Sequence, residues 1–176
     1  MEGAIRVAVL TASNRAAAGI YEDRSGPPLA ALAREALGAE IVERAVLPDH
    51  RGAIAARLRQ WSDELRVDLI LTTGGTGFTA TDVTPEAALD VIERAAPGLA
   101  EVTRAVSLQT TPYAMLSRGV AGIRGQTLII TLPGSPKGAV ECLRAVLPVL
   151  PHAIALLRGE PSDEAQHGFR TPTRTV

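Results

Sequence analysis

The sequence predicts an α/β fold, a three-layer sandwich in which helices cover both faces of a mostly parallel sheet with one antiparallel hairpin at its edge. Short apolar runs rich in β-branched residues alternate along the chain with segments of helical periodicity, as in right-handed β-α-β units. With 176 residues, 46% of them hydrophobic, the chain is long enough to form one domain with its own core.

The first half of the chain predicts three strands and two helices. The predicted elements are a strand at 4–10, a helix at about 27–37 ended by Gly38, a strand at 40–47, a helix with Ile54, Leu58, Trp61 and Leu65 on one face, and a strand at 67–73. The spacing of the apolar residues places Trp61 in the core. The third strand is almost continuously aliphatic, which is typical of a central strand covered on both faces. A long loop, 11–28, follows the first strand, and loops of that length often carry function.

The second half predicts four helical segments and the edge hairpin. The predicted elements are a helix from Thr84, its expected cap, to about Ala96; a helix carrying Leu99, Val102 and Val106 after the break at Pro97-Gly98; two strands within 115–134 joined by a turn at Gly125; and a helical segment at 136–157 divided by Pro148 and Pro151. The domain is therefore expected to span residues 1–158, and residues 159–176 are expected to form a mobile tail.

Composition excludes several classes of function. A formal net charge of −1 without any basic run argues against a nucleic-acid partner. The amino terminus lacks the apolar core of a signal peptide, and no run of about 18 apolar residues is unbroken, so no membrane partner is expected. The single cysteine, Cys142, suits a reducing compartment, and the predicted localisation is cytoplasmic.

A glycine-rich loop follows the third strand and predicts an anion site. Gly74, Gly75 and Gly77 allow positive φ angles and can direct amide N–H groups at a phosphate, and Thr76 adds a hydroxyl. The amino terminus of the helix near Pro85 adds a positive dipole end. The loop matches neither a P-loop nor a GxGxxG turn, and the alternative interpretation is a strained turn that binds nothing.

A second loop, after the last strand, repeats this arrangement. Gly134 ends the strand, Ser135 is placed to cap the next helix, and Pro136 occupies its first position. Lys137 is the only lysine among 18 basic residues, and it lies in the first turn, where a cation opposes the helix dipole. A bound anion would explain it, and two such loops at one sheet edge suit a ligand with several phosphates.

Two carboxylates lie near the same edge. Asp82 follows the glycine loop and Asp49 follows the second strand. A carboxylate beside phosphate is repulsive unless a divalent cation lies between them, typically Mg²⁺. The alternative is structural, with Asp49 capping the helix from Arg51 and Asp82 bracing its turn. Arg15, Arg24 and Arg118 could contact ligand or only solvent.

These residues carry a resemblance to a known family. The segments TTGGTGFTATDVTPEA, LPGSPKGAVECL, MLSRGVAGIRGQTLIITLPG and ASNRAAAGIYEDRSG resemble the molybdenum cofactor biosynthesis domain of the molybdopterin adenylyltransferases, which include bacterial Mog proteins and a domain of gephyrin. The resemblance extends from about Ile5 to Arg158. It implies an α/β sandwich that forms homotrimers or dimers of trimers.

The resemblance also implies the reaction and the site. ATP and molybdopterin would give adenylylated molybdopterin and pyrophosphate with Mg²⁺, before a separate enzyme inserts the metal. Asp82 matches an essential aspartate and Asp49 a second acidic position, both in metal and substrate positioning. The residues implied to hold the phosphates are Ser13, Gly74, Gly75, Thr76, Gly77, Gly134 and Ser135, and those implied near the pterin are Ser107 and Ser117.

Departures from the family pattern leave two rivals to an active transferase. Asn14 replaces a common aspartate, and FTAT precedes Asp82 where several members carry an arginine. One rival is a paralogue of the MoaB type that binds molybdopterin without efficient catalysis, and the other is a hydrolase similar to the competence-damage proteins. The intact Asp49 and DVTPEA favour the enzyme over the first rival, and GGTG argues against the second.

Overall fold

The structure is a computed structural model that describes residues 3–160. Its strands are β1 (Arg6–Ala12), β2 (Glu40–Leu47), β3 (Leu69–Thr73), β4 (Arg94–Ala95), β5 (Ala121–Arg124) and β6 (Thr127–Leu132). Its α-helices are α1 (Asn14–Ala17), α2 (Gly26–Leu37), α3 (Arg51–Asp63), α4 (Thr84–Leu89), α5 (Pro97–Leu108), α6 (Pro136–Val146) and α7 (Leu150–Arg158), and two 3-10 helices span Pro112–Leu116 and Leu147–Val149.

The six strands form one sheet in the order β2-β1-β3-β6-β5-β4. The pairs β1–β2, β1–β3 and β3–β6 are parallel, whereas β5 runs antiparallel to both β6 and β4. The predicted α/β fold with an antiparallel edge hairpin is confirmed. Three parallel strands, β1, β3 and β6, therefore end side by side at one edge of the sheet.

Helices cover both faces of the sheet. One apolar cluster joins the sheet to α2, α6 and α7, and the other joins it to α3 and α4. All five residues of β3 are buried, as predicted for a central strand. Trp61 is fully buried in the second cluster, and its indole Nε1 donates a 3.0 Å hydrogen bond to Glu43 Oε2. The predicted core role of Trp61 is confirmed.

The helix predicted from Thr84 to Ala96 is wrong in its second half. It ends at Leu89, and residues 94–95 form β4 at the sheet edge. Glu93 N donates to Ile123 O at 2.9 Å and Ala96 N donates to Ala121 O at 2.9 Å. These bonds to β5 take the place of helical ones. The predicted cap is also wrong, because Thr84 is the first helical residue and its side chain makes no capping bond.

The edge hairpin is shorter than predicted. Its first strand begins at Ala121, whereas Met115 and Leu116 belong to a 3-10 helix that Thr111 caps. Gly125 forms the turn with a φ of +53°, as predicted. Strand β1 spans Arg6–Ala12 instead of the predicted 4–10, so it reaches further toward the carboxyl edge of the sheet.

The carboxyl-terminal helices divide at the two prolines, as predicted. The segment Pro136–Arg158 has 23 residues, and an 18-residue window within it has a mean hydropathy of 1.6, which meets the length and composition of a membrane span. Leu143, Leu150 and Ile154 of this segment pack into the core, and 28% of the window is buried. Of the predicted tail, 159–176, only Gly159 and Glu160 are described, and the rest lies outside the described residues.

Candidate functional site

The two glycine loops meet at the carboxyl edge of the sheet. Gly74 N donates to Leu132 O at 3.3 Å, and a Cβ added to Gly134 would lie 3.2 Å from Gly74 Cα. Ser13, at the end of β1, joins Gly74 and Gly134 in lining a cavity of about 200 Å³. The structure thus brings together the three loops that the sequence placed at this edge. Ligands of parallel α/β sheets bind at this location.

The conformation of the loop after β3 depends on two of its three glycines. Gly74 and Gly75 have φ angles of +92° and +63°, where a side chain is strained. A Cβ on Gly75 would collide with Thr84 Oγ1 and lie 3.1 Å from Asp49 Oδ1. Gly77 does not have the positive φ considered from the sequence, but a Cβ there would lie 3.0 Å from Asp82 Oδ2. The missing side chains let both carboxylates approach the loop.

Asp49 faces the glycine loop rather than capping α3. His50 is the cap, since its Nδ1 accepts a hydrogen bond of 3.1 Å from Ala53 N. The capping interpretation of Asp49 is therefore wrong. Asp49 Oδ2 instead accepts a hydrogen bond of 2.9 Å from Asn14 N, and Asp49 Oδ1 lies beside Gly75.

Asp82 braces its turn, as the structural interpretation predicted. Its Oδ2 accepts hydrogen bonds from Thr79 N at 2.8 Å and from Thr79 Oγ1 at 2.6 Å. It also lines a cavity of about 440 Å³ together with Phe78, whose side chain is 68% exposed. Bracing and ligand contact are compatible, because Oδ1 accepts no hydrogen bond from the described part of the chain.

A mainly apolar cavity also borders the glycine loop at Gly77. Its volume is about 310 Å³, and the predicted residues in its wall are Gly77, Ser107, Ser117, Ser135 and Lys137. Ser135 caps α6 as predicted, since its Oγ accepts a hydrogen bond of 3.3 Å from Gly138 N. Lys137 is 78% exposed, and its Nζ is 3.8 Å from Glu141 Oε1, so its ammonium remains available at the cavity rim. An exposed pair of this kind contributes little to stability.

Two members of the predicted set make contacts within the protein. Thr76 is 6% exposed, and its backbone carbonyl accepts a hydrogen bond of 2.9 Å from Arg118 N. A contact from the Thr76 hydroxyl to phosphate stays a prediction. Ser107 Oγ lies 3.2 Å from the buried Cys142 Sγ. Burial raises the pKa of the Cys142 thiol, and the bond to Ser107 opposes that effect only in part.

Sequence reasoning left one important residue undecided. Arg118 donates from Nε to Gly77 O at 2.7 Å, from Nη2 to Asp82 O at 2.5 Å, and from its guanidinium to the Glu86 carboxylate. The bond from Arg118 holds the pKa of Glu86 below its usual value. The only signal in the sequence was an arginine next to Ser117, which does not reveal partners more than 30 residues away.

The carboxylates fit Mg²⁺ only together with a phosphorylated ligand. Within residues 3–160 no three His, Cys, Asp or Glu side chains form a metal-binding group. Mg²⁺ is commonly held by one or two carboxylates plus substrate phosphates and water. Asp49 and Asp82, on either side of the glycine loop, each keep one oxygen without a described hydrogen bond, and both suit that mode.

Fold and site together define an α/β domain whose glycine loops meet at the carboxyl edge of a parallel sheet, where ligands of this class of fold bind. The chain belongs to the family described as the probable molybdopterin binding domain, whose model matches residues 8–152. The predicted resemblance to the molybdenum cofactor biosynthesis proteins is confirmed.

Known relatives agree with this assignment. A molybdopterin adenylyltransferase of Helicobacter pylori is 43% identical over 156 residues, which are 88% of this chain and 89% of the relative. Gephyrin of Dictyostelium discoideum is 44% identical over 94% of the chain, which spans only 24% of that longer protein. The solved structure of the molybdopterin biosynthesis enzyme MoaB of Thermus thermophilus has 48% identity and a TM-score of 0.81, covering 90% of this chain and 99% of that one.

Proposed function

We propose that this protein is a molybdopterin adenylyltransferase of molybdenum cofactor biosynthesis, which transfers AMP from ATP to molybdopterin and releases pyrophosphate. The observation that carries the proposal is that two carboxylates lie against the same glycine loop. Asp49 lies beside Gly75, and Asp82 lies beside Gly77. The name of the Helicobacter relative, matched over nearly its full length, supports it.

The reaction needs positioning more than covalent chemistry. A terminal phosphate oxygen of molybdopterin attacks the α-phosphorus of ATP, and the bond to the β-phosphate oxygen breaks as pyrophosphate leaves. Both reactants are anions, so the protein has to align them and offset their charge. The loop amide of Gly75 and the capped amino terminus of α6 are suited to the phosphates, whereas the amide of Gly74 already donates to Leu132 O. Asp49 and Asp82 would hold Mg²⁺, which supplies positive charge to the phosphate oxygens.

The cavities are assigned by their walls. The apolar cavity of about 310 Å³, with Ser107 and Ser117, suits the flat pterin, and Lys137 at its rim suits a phosphate. The cavity of about 200 Å³, with Ser13 and Gly134, lies on the other side of the loop contact and suits further phosphate groups. Gly77 lines the pterin cavity, and Asp82 lines the cavity of about 440 Å³.

The wider setting of this function is part of the same proposal. We expect a homotrimer or a dimer of trimers in the cytoplasm, with the adenylylated product passing to the enzyme that inserts molybdenum. The family resemblance supports the oligomer, and the single, buried cysteine suits a reducing compartment.

Incubation with ATP, Mg²⁺ and molybdopterin tests the proposal, with mass spectrometry of the pterin product. Wild type should form adenylyl-molybdopterin, and Asp82→Asn should reduce the rate by about 100-fold or more, because the charge is lost while the shape is kept. Asp63→Asn is the matched control, since this carboxylate pairs with Arg124 away from the loop.

A paralogue that binds molybdopterin without efficient catalysis is the second candidate, supported by the family description, which names molybdopterin binding alone. It predicts molybdopterin binding by wild type without any adenylylated product. That result would refute the transferase and leave the glycine loop as a binding site.

A further inference from the structure

Arg118 connects both sides of the site through one guanidinium. Its Nε binds the carbonyl of Gly77, its Nη2 binds the carbonyl of Asp82, and its own amide binds the carbonyl of Thr76. The glycine loop and the turn that carries Asp82 are thereby held to the chain just before β5. The carbonyl groups of Asp82 and Gly77 lie 36 and 41 residues from Arg118 in the sequence. No local element therefore fixes this geometry.

Glu86 holds the guanidinium in place. Its carboxylate accepts bonds from Arg118, and Arg118 and Glu86 are both about one-third exposed. An arginine presents its donors in a planar fork, so a fixed carboxylate on one edge orients the other donors toward the two carbonyls. Lysine has one ammonium group without that fork and cannot reproduce all three directions.

The position of Arg118 couples this clamp to the ligand cavities. Arg118 and Asp82 line the cavity of about 440 Å³, whereas its neighbour Ser117 and its partner Gly77 line the cavity of about 310 Å³. A shift of Arg118 would therefore displace Gly77 in the lining of one cavity and Asp82 in the lining of the other. Misplacement by about 1 Å at a reacting centre can cost about 100-fold in rate.

We propose that Arg118, oriented by Glu86, is a positioning residue that fixes Asp82 and the glycine loop relative to the ligand cavities. This inference rests on the proposed transferase function for its effect on catalysis. It adds a residue that does not itself react and whose guanidinium is already occupied by protein acceptors.

Arg118→Lys tests this role against Arg124→Lys as the control. Arg124 also joins distant elements through a guanidinium, with bonds of 2.9 and 2.7 Å to Asp63, but it is not in the wall of these cavities. We expect Arg118→Lys to lower kcat by about 10- to 100-fold with KM for both substrates within about threefold. Glu86→Gln should lower kcat in the same direction, and guanidinium ion should partly restore Arg118→Ala.

Equal losses of kcat in the Arg118→Lys and Arg124→Lys variants, or an unchanged kcat in Arg118→Lys, would overturn the inference. Hydrogen exchange at the amides of residues 76–82 separates it from the proposed function. If the wild-type protein forms no product, the transferase proposal fails. Hydrogen exchange then tests the positioning role of Arg118 independently. Faster exchange in Arg118→Lys than in Arg124→Lys supports the positioning role, and equal exchange overturns it.

Discussion

Asn14 and Asp49 are joined by two reciprocal hydrogen bonds. Asn14 N donates to Asp49 Oδ2 at 2.9 Å, and Asp49 N donates to Asn14 Oδ1 at 3.0 Å. The pair links the loop after β1 to the end of β2 and holds the carboxylate of Asp49 against the glycine loop. Asparagine at this position therefore supplies the acceptor that Asp49 N needs.

Removing that acceptor should weaken the proposed reaction. Asn14→Ala loses one hydrogen bond, worth about 0.5–1.5 kcal/mol, so kcat/KM should fall by about 2- to 10-fold as Asp49 becomes less fixed. Steady-state kinetics measure the effect. Asn14→Asp keeps the acceptor and serves as the control. A fall in Asn14→Asp as large as in Asn14→Ala would contradict the prediction, because the aspartate keeps the acceptor for Asp49 N.

Gly75 should tolerate no side chain. Gly75→Ala combines a positive φ with a collision against Thr84 Oγ1, and we expect it to lower the free energy of unfolding by about 2–4 kcal/mol. Gly125→Ala is the matched control, because its φ is also positive but its Cβ would meet nothing within 4 Å. It should cost about 1 kcal/mol. Urea titrations of both variants measure the difference, and equal losses would contradict the close approach at Gly75.

Asp68 should stabilise the fold in a pH-dependent way at the opposite sheet edge. Its carboxylate accepts a hydrogen bond of 2.7 Å from Arg6 N and two hydrogen bonds, of 2.8 and 2.7 Å, from the Arg158 guanidinium. These bonds link β1, the start of β3 and α7. Burial is the largest influence and raises its pKa, but these hydrogen bonds and charges more than offset it, and the pKa lies below 3.8.

Because the folded pKa of Asp68 is the lower one, the unfolded chain binds more protons. Its stabilisation is complete above about pH 4 and is lost as pH falls through the folded pKa. Asp68→Asn should lower the free energy of unfolding at neutral pH by about 2–4 kcal/mol and flatten its dependence below about pH 4. Urea titrations from neutral to acidic pH measure both effects. Asp63→Asn, in a more exposed pair, should cost about 1 kcal/mol or less.

Cys142 should react slowly in the native protein. Its thiol is buried beside Ser107, and burial raises its pKa, so little thiolate forms near neutral pH. Alkylation by iodoacetamide, followed by mass spectrometry, should be at least about tenfold slower than in urea. Since Cys142 lines the cavity assigned to the pterin, molybdopterin should slow the native reaction further. Equal native rates with and without molybdopterin would contradict that assignment.

Local patterns in the sequence predict the layers of the fold and the sheet edge where the glycine loops meet. Apolar periodicity located the buried β3 and the core position of Trp61, and the glycines marked the loop where the backbone turns sharply. These features are local, because a strand, a helix face and a positive φ depend on neighbouring residues. The parallel order then placed three loops at one edge.

Only the tertiary structure decided how the carboxylates and the clamp are arranged. Capping by His50 frees Asp49 to face Gly75, and β4 replaces the end of a predicted helix because β5 offers its backbone groups. Arg118 finds its acceptors 36 and 41 residues away. Such contacts depend on which distant groups the fold brings within hydrogen-bonding distance, and no local pattern of residues encodes that choice.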